Sequence, residues 1–212
     1  MSGKRLWIAI AFAVTLLTIS AAAQDEKNEI GGTIGRIFIS DQGIKGSNIL
    51  DPTIHSGNGL TFEGFYARRF FVTPIYSVAG EIPVAYNYDE DIIGGQVGNT
   101  VPTDYKALFV TPAARVNLFP TTAVSPWVSI GVGFGHFSEG NTLNFGGTNP
   151  GKSTTNFVFQ AGLGLDVKVW KRLSIRGQVR DFWSGEPDFP QAPTGKTRQH
   201  NFFVSGGAFW RF

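Results

Sequence analysis

The sequence predicts an all-β chain: an eight-stranded antiparallel up-and-down transmembrane β-barrel, preceded by a cleaved signal peptide. Three observations predict it. Apolar residues alternate with small or polar ones along repeated segments, long and short connections alternate between those segments, and the N-terminus has the three-part form of an export leader. The composition points the same way. Aromatic residues make up 14% of the chain and glycines number 27, a mixture that suits strands better than helices.

The leader comes first. Lys4 and Arg5 supply the positive start, Leu6 to Ile19 the apolar stretch, and Ala21-Ala22-Ala23 the small residues a signal peptidase requires. The apolar stretch falls short of the roughly 20 residues that a spanning helix needs. Residues 1–23 therefore read as a signal peptide and residues 24–212 as one barrel domain. The chain has no cysteine, so an exported domain of this kind must draw its stability from something other than disulfides, and no cysteine-based metal site exists. A net charge of +2 without a Lys/Arg run gives no reason to expect a nucleic-acid partner, and no cofactor is expected.

Eight strands follow, at about 29–39, 59–69, 72–86, 105–118, 126–138, 155–169, 173–182 and 200–212. The sixth is the clearest. Phe157, Phe159, Ala161, Leu163, Leu165, Val167 and Val169 occupy every second position, with Val158, Gln160, Gly162, Gly164, Asp166 and Lys168 between them. Successive side chains of a strand point to opposite faces, so this segment has one apolar face and one small or polar face. The last strand repeats the pattern, with Phe202, Val204, Gly206, Ala208, Trp210 and Phe212 on one side. In the first strand Gly31, Gly32 and Gly35 blur the alternation, and in the third Pro74 and Pro83 interrupt it.

The opposite face identifies the solvent. It is rich in Gly, Ser and Ala and carries charges of both signs: Glu63, Glu81 and Asp166 against Arg115, Lys168, Arg176, Arg180 and Arg211. Small residues with paired charges suit the narrow interior of a small membrane barrel, which is expected to fill without an apolar core. Buried charges are tolerable there only as pairs. Connections after strands one, three, five and seven are long and polar, those after two, four and six short, as in barrels whose long loops face outward. Aromatics near strand ends, among them Tyr66, Phe70, Tyr86, Trp127, Trp170, Trp183 and Trp210, are expected to form interfacial girdles.

With its leader, eight alternating strands and terminal Trp210-Arg211-Phe212, the chain resembles the small OmpA/OmpX-type outer-membrane β-barrel family. The segment GLGLDVKVWKRLSIRGQVRDF, residues 162–182, is similar to the hairpin near the end of such proteins. The resemblance implies residence in the cell outer membrane of a Gram-negative bacterium. It also implies that the barrel assembly machinery reads the last strand, through Val204, Gly206, Ala208, Trp210 and Phe212.

Eight strands leave a lumen that side chains can fill, so an open nutrient pore is not expected. The expected role is structural or surface-interacting and non-enzymatic. Outer-membrane lipids and lipopolysaccharide are the expected surroundings, and the four long loops are the place for an extracellular ligand. The alternative is a lipid-modifying enzyme. His136-Phe137-Ser138-Glu139 faintly resembles the His-x-Ser-Asn segment of lipid A deacylases, in which Ser138 would be nucleophile and His136 its base. Glu139 stands where that family has Asn, and no acidic residue lies between Glu139 and Asp166 to orient the histidine. Arg180-Asp181 and Arg198-Gln199-His200 flank the last long loop and read as a polar cluster that braces it.

Overall fold

The computed structural model describes residues 26–43, 53–56, 58–93, 104–143, 146–148, 153–185 and 198–212. The proposed leader lies outside the described residues, as do segment 149–152 and the side chains of His55 and Asp89-Glu90-Asp91.

The strands are β1 (Asn28–Ile39), β2 (Gln42–Gly43), β3 (Thr53–Ser56), β4 (Asn58–Val72), β5 (Tyr76–Ile93), β6 (Asp104–Val110), β7 (Ala113–Leu118), β8 (Val124–Glu139), β9 (Ser153–Lys168), β10 (Leu173–Ser184) and β11 (Asn201–Arg211). Each pairs antiparallel with its neighbours, and β1 pairs with β11 from Glu29↔Arg211 to Ile39↔Asn201, which closes the sheet. With β6 and β7 forming one interrupted crossing, eight strands make the wall. The remaining pair, β2 and β3, adds a short ribbon onto the outer end of β5.

Alternation decides which side chain faces where. Val128, Ile130, Val132, Phe157, Leu163 and Ile175 are all exposed on the outer surface, although each is strongly apolar. The partners between them are buried: Ser129, Gln160, Asp166, Ser174 and Arg176. This inside-out distribution is what a hydrocarbon solvent demands. On β11 the outward run from Phe202 to Phe212 spans about 25 Å once strand tilt is allowed for, the height of an apolar membrane band.

The blurred strands have physical causes. Gly35 of β1 faces inward against β11, and a Cβ there would collide with the backbone of Val204 and Ser205. The glycines permit the close approach that a tightly curved seam requires. The prolines act differently. Pro74 lies in the turn Thr73–Ile75, so that turn sits later than the sequence suggests, and β5 starts at Tyr76. Thr73 fastens it: its hydroxyl accepts from the Tyr76 amide at 3.0 Å, and its own amide donates to the Tyr76 carbonyl at 2.9 Å. Pro83 stays in β5, opposite the Thr111-Pro112 break between β6 and β7. Two residues without N–H groups meet there, so the ladder is thin. The Thr111 amide reaches the Pro83 carbonyl at 3.4 Å, and the Val132 amide reaches the Pro112 carbonyl at 3.1 Å.

Candidate functional site

Inside the barrel two zones are stacked along the axis. The zone toward the short turns is ionic. Glu29 opens β1, Glu63 lies on β4, Glu81 on β5 and Asp166 on β9; Arg115 comes from β7, Arg176 and Arg180 from β10, and Arg211 from β11. All eight are buried. Arg115 bridges Glu29 and Glu81 through its two terminal nitrogens. Arg176 grips Asp166 with both arms of its fork, Nε to Oδ1 at 2.8 Å and Nη2 to Oδ2 at 3.0 Å, and reaches Glu81 at 3.1 Å. Arg180 pairs with Glu81 at 2.5 Å and Glu63 at 3.1 Å, while Arg211 donates to Glu29 at 3.0 Å. Gln178 donates to the free side of Glu63 at 2.8 Å.

Aromatic faces enclose this network. The Arg176 guanidinium lies 4.4 Å from the Phe65 ring centre and 4.8 Å from those of Trp127 and Phe209. Trp127 is no girdle residue. The register that turns Val128 outward turns Trp127 inward, where it is 2% exposed and its indole N–H donates to Asp166 at 3.0 Å. A buried indole N–H takes such a partner where one is available.

Toward the long loops the lumen changes character. Ile37, Ile39, Ala85, Ala107, Phe109, Phe137, Val158, Phe182 and Phe203 form a buried apolar cluster. Phe109 and Phe182 stack at 4.7 Å with planes 9° apart, and Phe137 meets Phe109 edge-on at 5.6 Å. This corrects the expectation of a lumen without an apolar core. Averaged along whole strands the inward face reads small and polar; divided by height, half of it is greasy. A polar collar closes the plug from above, with Asn201 donating to the Phe182 carbonyl at 2.6 Å and Gln199 to Asn201 at 2.8 Å.

Of the expected interior charges, Glu63, Glu81, Arg115, Asp166, Arg176, Arg180 and Arg211 meet in the ionic zone. Lys168 does not. It has the inward parity of Asp166 but ends β9, and at the rim its ammonium is exposed. Glu29, the partner of four arginines, escaped the sequence reading because the glycines after it hid the inward parity of β1.

His136 and Ser138 both face outward on β8, near its loop end. They are not joined as base and nucleophile: His136 Nδ1 contacts the Thr155 hydroxyl at 2.8 Å, and Glu139 turns into the barrel, where it is buried. At the base of the last loop the second polar cluster is assembled as a clasp. Asp181 meets His200 Nδ1 at 2.7 Å, and a backbone bridge joins Ser184 to Gln199. Val204, Gly206, Ala208 and Trp210 lie exposed on the outer face of β11, with Phe212 continuing their register just beyond it.

With the closed barrel and its filled lumen in view, comparison with protein families gives a match over residues 9–212 to the outer membrane protein beta-barrel domain. The chain belongs to this family. Its strands are accordingly membrane crossings, and its place is the outer membrane of a Gram-negative cell. The fold is similar to that of Neisserial surface protein A, with 13% identity, 87% of this chain and 97% of that chain covered, and a TM-score of 0.52. It is also similar to the outer membrane protein OprG from Pseudomonas aeruginosa, with 12% identity, coverage of 88% and 96%, and a TM-score of 0.55. Comparison with curated protein sequences gives no match.

Proposed function

We propose that this protein is a closed, non-conducting barrel with a structural role in the outer membrane, presenting its four long loops for interaction at the cell surface. The observation that carries the reading is the filled lumen: an ionic zone of four carboxylates and four arginines beneath a plug of stacked phenylalanines. Eight strands enclose only enough space for side chains, and here side chains of both kinds occupy it. Reconstituted in planar bilayers, the protein should show no steady conductance on the order of a nanosiemens, the scale a water-filled channel would produce. A steady open level of that size defeats the reading.

Catalysis is not part of this proposal, because Glu139 turns away from His136 and Ser138 into the barrel, and the ring nitrogen of His136 that a carboxylate would orient is bound to the Thr155 hydroxyl. Lipopolysaccharide and other outer-membrane lipids are the proposed surroundings, and the assembly machinery the proposed partner during biogenesis. The outward register Val204, Gly206, Ala208, Trp210, Phe212 supports the latter by presenting an aromatic end. Phe212→Asp is expected to lower the folded fraction in outer membranes several-fold, read as loss of the heat-modifiable band. Unchanged yield removes the terminal residue from the signal.

A further inference from the structure

Charge is divided unevenly at the turn end of the barrel. Lys27, Arg68, Lys168, Lys171 and Arg172 stand exposed around this rim. Against them, among the described residues, the rim sets Glu26, which is already paired with Arg172 at 3.3 Å. The turns Thr73–Ile75, Phe119–Ala123 and Val169–Arg172 contain no acidic residue. A concave mouth lined by one sign of charge focuses the field and concentrates counter-ions.

One step inside the mouth, a single carboxylate is oversubscribed. Glu29 Oε2 is taken by Arg115, with Arg176 at 4.0 Å. Glu29 Oε1 lies 3.0 Å from Nε of Arg211 on β11 and 3.6 Å from Nε of Arg69 on β4. The shorter contact is a hydrogen bond, whereas Nε of Arg69 is buried without a hydrogen-bond partner. Nη2 of Arg69 donates to the Glu26 carbonyl, and the terminal nitrogens of Arg211 make no hydrogen bond among the described residues. Both side chains are about nine-tenths buried. With Arg69 included, five arginines in the lumen face the four carboxylates Glu29, Glu63, Glu81 and Asp166. A buried charge that lacks its share of a partner is costly, and the deficit falls at the mouth, where Arg69 and Arg211 divide one oxygen.

We propose that the turn-side mouth of the lumen is a binding site for a phosphate-type oxoanion, gripped by Arg69 and Arg211 and drawn in by Lys27 and Arg172. A planar guanidinium fork matches the spacing of phosphate oxygens, and two forks side by side supply the donors that Glu29 alone leaves short of an acceptor. The anion brings the missing negative charge to the place where the deficit lies. Its phosphate is either free in solution or carried on a lipid head group, and the same donors serve both. The inference goes beyond the closed-barrel function, and binding at the mouth is measured without a conductance readout.

The test uses the folded full-length protein in micelles of an uncharged detergent. It is titrated calorimetrically with inorganic phosphate and with short-chain phosphatidylglycerol, each against sodium chloride at equal ionic strength. Saturable binding is expected for at least one of the two phosphates and not for chloride. Arg69→Gln and Arg211→Gln each remove one charge-assisted contact and should weaken that binding roughly tenfold. Arg172→Gln, on the exposed rim, should weaken it only about threefold. Lys106→Gln, exposed at the loop end of β6, serves as control and should bind as wild type. Binding of inorganic phosphate supports the site with a soluble anion as ligand, and binding of the lipid alone supports it with a head group. Binding of neither overturns the inference, as does equal binding of chloride, wild-type affinity in both arginine variants, or an equal loss in Lys106→Gln. Heat-modifiable migration of each variant separates lost binding from lost folding. Where Arg211→Gln does not fold, Arg211→Lys keeps the charge without the fork, and it should still bind more weakly than wild type.

Discussion

On the turn side of the lumen, four carboxylates and four arginines interlock around Trp127; on the loop side, four phenylalanines close over Ile37, Ile39 and Val158. The two halves fill the same bore with opposite chemistry. In the ionic half every charge depends on particular partners, so position is fixed by direction as well as shape. In the apolar half cohesion comes from contact area, and neighbours can shift to share a loss. The ionic half should therefore be the brittle one.

Glu81 is where that contrast can be broken most forcefully. It pairs with Arg115, Arg176 and Arg180 at once. Removing one partner of a buried ion pair leaves uncompensated charge and costs about 3–5 kcal/mol. Glu81→Ala takes one carboxylate from three guanidinium groups at once and leaves them to Glu29, Asp166 and Glu63, so a loss within that range is expected, measured as a shift in the urea midpoint of the membrane-inserted barrel. A loss below about 1 kcal/mol would mean that water enters the turn-side half and solvates the arginines, and that this half is not closed.

How much of this was legible in the sequence differs between the wall and its filling. Strand number, facing and connection pattern follow from period-two alternation, because hydrocarbon outside enforces it at nearly every outward position, from Val128 to Phe159. The filling obeys no such uniform rule. Phe109 and Phe203 already have inward parity in the sequence, yet nothing local says at which height they meet Phe137 and Phe182. That depends on the stagger of strands far apart in the chain, such as Arg180↔Phe203. The same stagger brings Glu29 to Arg115 across 86 positions of sequence. Lys168 shows the converse: its parity is right, but as the last residue of its strand it reaches water. The clasp at the base of the last loop was visible, since Asp181 and His200 already read as one cluster from the ends of neighbouring strands.

Phe182 tests the softer half and gives the smaller effect. Its ring stacks on Phe109, and Gln199 and Asn201 form a lid above it. Phe182→Ala removes a fully buried ring, for which about 3 kcal/mol is expected, the low end for this change because Phe137 and Phe203 can lean into the space. Phe182→Leu, which keeps most of the volume, should cost about 1 kcal/mol. The pair of variants sharpens the comparison, since a plug held by area must grade with side-chain size, whereas a plug held by ring geometry would lose as much to leucine as to alanine. Neither variant should conduct, because the ionic zone below remains intact. Conductance in Phe182→Ala with Glu81 still in place would reverse the assignment and make the phenylalanine plug the sole seal of the barrel.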